Sequence, residues 1–93
     1  MEQYLHFPRR VEAAKTAIRK RFPNVISVDV EPMTDHLSRP ALLAQVTVGT
    51  SSTLHWKDVQ PIHLVAFQLL RQAEPFKYPY IEFRSKIVKR RAR

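Results

Sequence analysis

Between Phe22 and Pro32 the chain reads FPNVISVDVEP, with Ile26, Val28 and Val30 alternating with Ser27, Asp29 and Glu31. A period of two puts apolar side chains on one face of an extended backbone and polar ones on the other, so this stretch is expected as a half-buried strand. Pro23 and Asn24 lead into it from a basic helical segment. Pro32 has no N–H for a ladder and is expected to end it. A strand wet on one face needs a neighbour and a cover, and the rest of the chain offers both.

The neighbour is Ala41–Val48, where Leu42, Ala44, Val46 and Val48 alternate with Leu43, Gln45 and Thr47. Gly49, the only glycine, is expected to turn with Thr50, Ser51 and Ser52 into a short partner strand, Thr53–Trp56, giving a hairpin in which Trp56 is core. Helices supply the cover. Val11, Ala14, Ile18 and Phe22 recur at three and four residues after Pro8, which is placed in a first helical turn, and Gln3–Phe7 is read as a strand or arm. Ile62, Val65, Ala66, Leu69 and Ala73 form a second stripe, introduced by Asp58 or Gln60 as cap and Pro61. Leu64 and Phe67 point away from that stripe and suggest an interface.

Ninety-three residues form one small domain burying about 60–65% of its unfolded surface. With no cysteine, disulfides, CxxC chemistry and thiolate metal sites are excluded. No apolar run approaches the roughly 20 residues of a membrane span, so no membrane insertion is expected. MEQYLHFPRR, with Glu2 and no apolar core, does not read as a secretory signal.

Charge is unevenly spread. Of the 16 Lys and Arg, six lie in 9–21 (Arg9, Arg10, Lys15, Arg19, Lys20, Arg21) and six in 84–93 (Arg84, Lys86, Lys89, Arg90, Arg91, Arg93). Residues 22–83 hold only four, against six acids. Two basic appendages on a mildly acidic middle fit a polyanion, of which nucleic acid is the commonest, and these twelve residues are the expected RNA contacts. They would neutralise phosphates and position the protein without reading sequence.

Little else carries chemistry. His6, His36, His55 and His63 stand in four separate segments without ligand spacing, so no metal is expected. One glycine excludes phosphate-cradling loops, and Asp29 with Glu31 has no nucleophile or oxyanion hole nearby. No catalysis, cofactor or small-molecule substrate is expected. Tyr78 and Tyr80, set among Pro75 and Pro79 ahead of the tail, are expected at an interface.

From Arg21 to about Ala73 the chain resembles a thioredoxin-like family shared by several mitochondrial ribosomal proteins and a small accessory subunit of respiratory complex I. The residues that carry the resemblance are the basic helix running into FPNVISVDVEP, the proline-led PALLAQVTVGT, TLHW, and a closing helix introduced by KDVQP. It implies an α/β fold, a reduced thioredoxin-like mixed sheet in the order strand-helix-strand-strand-strand-helix, with 1–83 as the domain and 84–93 as a basic C-terminal tail. The alternative is a ferredoxin-like α+β arrangement, although LLAQVTV lacks stacking aromatics. The resemblance also implies a structural protein of the mitochondrial ribosome in the matrix, with rRNA and neighbouring ribosomal proteins as partners. A scaffold subunit of a respiratory complex is the rival reading.

Overall fold

The computed structural model describes the backbone of residues 2–50 and 53–88, and side chains within them from residue 9 onward. The elements are α1 (Glu2–Arg21), β1 (Val25–Thr34), β2 (Pro40–Thr50), α2 (Trp56–Ala73) and β3 (Tyr78–Ile87). β2 lies between the others, antiparallel to β1 and parallel to β3. The protein is thus an α/β domain with a small mixed sheet and two helices.

The alternation seen in β2 sets the two faces of the sheet. Leu42, Ala44, Val46 and Val48 are buried, and across the register Val28 and Val30 of β1 and Pro79, Ile81 and Phe83 of β3 share their side. Both helices cover this face. Ile18 of α1 and Val59, Ile62 and Ala66 of α2 join Val28 and Val46 in one core, and Ala14, Leu42, Ala44 and Leu70 extend it. A fully buried aliphatic side chain contributes about 1.5–3 kcal/mol, so Ile18, Leu42, Ile62 and Leu70, buried completely, anchor both helices to the sheet. No polar or charged residue is buried among the described residues, so polar chemistry is confined to the surface.

Several expectations need correction. Residues 3–7 are helical: the three-and-four recurrence runs back through Phe7 and Tyr4, and Pro8 is the seventh residue of α1. Ile26 is 45% exposed because a register shift between Val25 and Ser27 turns Val25 inward in its place. Pro32 does not end β1, which continues to Thr34 as an edge strand that needs no outward N–H.

Thr53–Trp56 is not a strand, and Gly49 lies within β2. The place beside β2 goes to β3, reached through α2, and Trp56 is the first residue of that helix. His55 precedes it as the cap, donating its N–H to the Asp58 carboxylate at 3.3 Å, and Pro61 is the sixth helical residue. At the other side of the sheet, Arg84–Ile87 continue β3, so the strand takes in the start of the expected tail. Of the ferredoxin-like order, the last five elements occur in sequence and the first strand is helix.

Candidate nucleic-acid interface

Chain direction decides where the cations gather. Only three residues separate Arg21 from Val25, and the Val25 N–H donates to the Phe22 carbonyl at 2.9 Å, so α1 finishes where β1 starts. β2 finishes there too, with Val48 opposite Val25. Because β3 is parallel to β2, Lys86 lies opposite Gly49, and the Val88 N–H donates to the Thr50 carbonyl at 3.0 Å. α2 starts at the same end.

Arg19, Lys20 and Arg21 of α1, Arg84 and Lys86 of β3, and Lys57 of α2 therefore share one end of the domain, and all six are exposed. Among the described residues none of them is in an ion pair. The three in α1 sit in its last turn, where the carbonyl end of the helix favours positive charge. Asp58, the acid nearest this end of α2 in sequence, accepts the His55 N–H.

The other expected RNA contacts are placed differently. Arg9 and Arg10 are exposed on α1, but about 15 Å or more along the helix from Arg21 at 1.5 Å per residue. Lys15 is half-buried and donates to Glu12 at 2.8 Å, a bond that holds the Glu12 carboxyl below its ordinary pKa. Lys89, Arg90, Arg91 and Arg93 lie outside the described residues.

Arg84 and Lys86 project from the uncovered face of the sheet, but the middle of that face carries the opposite charge. Asp29 lies beside Gln45, whose amide donates to Glu82 at 3.3 Å, and Glu31 is one row away. Three exposed carboxylates on neighbouring rows make the middle of this face unsuited to phosphate.

The expected interface residues come together along α2 and β3. Phe67 and Tyr78 meet edge to face with ring centroids 5.4 Å apart, and Tyr78 lies 4.9 Å from Tyr80. Leu64 is 56% exposed one turn before Phe67. The row continues to the basic end through His63, stacked 6.3 Å from Phe67, and Trp56, 5.7 Å from His63. Trp56 is 59% exposed, a correction to its expected core position. Nor were His63, Lys57 and Arg71 expected as members of a surface. The signal for all four was spacing: Trp56 and His63 are seven apart, as are Lys57, Leu64 and Arg71, which puts each set on one line of a helix.

No group of three or more metal-ligating side chains occurs among the described residues, and no described helix is long and apolar enough to cross a membrane. Neither a family model nor a curated protein matches the chain. Among solved structures it is similar to a MamB CTD magnetosome protein of Desulfamplus magnetovallimortis BW-1, at 9% identity and a TM-score of 0.49, over 90% of this chain and 99% of that one.

Proposed function

We propose that this protein is a non-catalytic, RNA-binding structural component of a ribonucleoprotein, and that it grips the phosphate backbone with the basic end of the domain. The observation that carries the reading is the meeting of two basic clusters, far apart in sequence, at the end where α1, β2 and β3 all finish. Exposed cations on rigid elements release counterions on contact with phosphate, and they orient a protein without selecting sequence. The acidic middle of the open face, Asp29, Glu31 and Glu82, would lie off the RNA, which would reach that face only at the end holding Arg84 and Lys86.

The thioredoxin-like likeness narrows the assembly to the mitochondrial ribosome, with a matrix location, rRNA and ribosomal proteins as partners. That step rests on sequence resemblance, chiefly on FPNVISVDVEP and PALLAQVTVGT, the two stretches that pair as β1 and β2. The rival reading, a scaffold subunit of a respiratory complex, draws on the exposed aromatic row.

The test has two parts. RNA affinity measured across salt concentrations should fall steeply, and alanine at Arg84 and Lys86 should lower the slope by about 0.7 for each phosphate of a single strand that is no longer neutralised. The endogenous protein should sediment with ribosomal subunits in moderate salt. Co-migration with respiratory complexes in ribosome-free membranes would reject the ribosomal reading.

A further inference from the structure

The aromatic row is continuous, open at its two ends, and begins with Trp56 at the basic end. Trp56, His63, Phe67 and Tyr78 follow one another at centroid distances of 5.7, 6.3 and 5.4 Å. Trp56 and Tyr78, at the two extremes, are 59% and 49% exposed. His63 and Phe67 between them are half-buried, so the two ends of the row are its most open parts.

Charge distinguishes a nucleic acid from a protein as the occupant. Beside the aromatic line runs a second line of α2, Lys57, Leu64 and Arg71, with a cation at each end. Neither line contains an acid between Trp56 and Arg71, and Glu74 beyond them faces Lys77 at 4.0 Å. The row starts with Trp56 at the end of the domain where Lys57 lies, and His63 also meets Phe83, on the covered side of β3, at 6.3 Å. An apolar protein partner would gain from the aromatics but would leave Lys57 and Arg71 unmatched. A single-stranded RNA matches both, with bases on the rings and phosphates on the flanking cations.

Resting on the reading of the basic end as a phosphate site, we infer that the protein prefers single-stranded over duplex RNA, and that the row from Trp56 to Tyr78 is a base-stacking platform. A duplex keeps its bases stacked inside and offers the rings nothing.

Trp56 is the only tryptophan in the chain, so its fluorescence reports directly on the platform. The intact protein is titrated with an oligouridylate of about ten nucleotides, with an RNA duplex of equal length, and with inorganic polyphosphate; about ten nucleotides lies within the usual range of single-strand sites. The expected result is quenching by the oligouridylate alone and tighter binding of it than of the duplex. Trp56→Ala should weaken that binding about tenfold with an unchanged salt slope, while Trp56→Phe restores most of it. Binding of all three polyanions alike, with fluorescence unchanged and Trp56→Ala neutral, would overturn the platform and leave the phosphate site standing. No binding of any of them at low salt would overturn both. Quenching by an apolar protein partner with none by RNA would assign the row to protein docking and also overturn the inference.

Discussion

The Gly49 N–H donates to the carbonyl of Asn24 at 2.8 Å, tying the last residues of β2 to the connection that leaves α1. Through this bond the basic last turn of α1 is held against the end of the sheet from which Arg84 and Lys86 project. Position 49 also shows how closely that end is packed. A Cβ on Gly49 would lie 3.2 Å from both Ile26 Cδ1 and Val88 Cγ2.

Those two atoms are the tips of half-exposed side chains, and Gly49 does not have a positive φ. Gly49→Ala is therefore expected to be accommodated by rotation of both tips, and to stabilise by about 0.5 kcal/mol because alanine restricts the unfolded chain. Urea denaturation checks this. A loss of more than about 1 kcal/mol would mean that Ile26 and Val88 are fixed in place.

Ile18 carries the attachment of α1 to the sheet. It is completely buried among Val28, Val46 and Ile62, so Ile18→Ala should cost about 2–5 kcal/mol. Ile26→Ala should cost about 1 kcal/mol or less, because the bulge has put that side chain outside. Equal losses at the two positions would contradict the register of β1.

The turn between β1 and β2 is closed by Asp35, whose carboxylate accepts the N–H groups of Leu37 at 2.8 Å and Arg39 at 2.9 Å, and the Arg39 guanidinium at 3.1 Å. The Arg39 backbone bond, foremost among these, lowers the Asp35 pKa. As pH falls through the ordinary aspartate range, the unfolded chain takes up a proton that the folded one refuses, so stability falls until folded Asp35 is itself protonated. Asp35→Asn should flatten this part of the profile, measured as the urea midpoint against pH. An unchanged slope would separate Asp35 from the acid sensitivity.

Ser38 in the same turn has φ 62°, a conformation that a residue with a Cβ adopts at a cost. Ser38→Gly should raise stability by about 0.5 kcal/mol or more, since relief of that strain outweighs the added freedom of the unfolded chain. A lower melting temperature for the variant would show that the Ser38 side chain contributes more than its backbone strain removes.

Much of the fold was legible where one periodicity was unopposed. Val11, Ala14 and Ile18, the alternation of β2, and Ile62 with Ala66 all sit where their spacing placed them. Legibility failed where a short segment fitted two patterns. YLHF reads as a strand in isolation, and only its continuation into Val11 reveals a helix. TLHW alternates over four residues, too few to outweigh the helix start formed by His55 and Asp58. In β3 the alternation of Pro79, Ile81 and Phe83 was present, but two prolines and the following charges disguised it as loop and tail. The cations were identifiable one by one. Their meeting at one end depends on the parallel pairing of β2 with β3, which no local pattern encodes.

That meeting is the centre of the account, and the stoichiometry of a short single-stranded RNA tests it most directly. Titration calorimetry is compared for the wild-type protein, for alanine at Arg19, Lys20 and Arg21, for alanine at Arg84 and Lys86, and for the combination. One RNA per protein, with each cluster weakening the same binding event and lowering its salt slope, is the predicted result. Two independent RNA sites, each abolished by one cluster and untouched by the other, would contradict it.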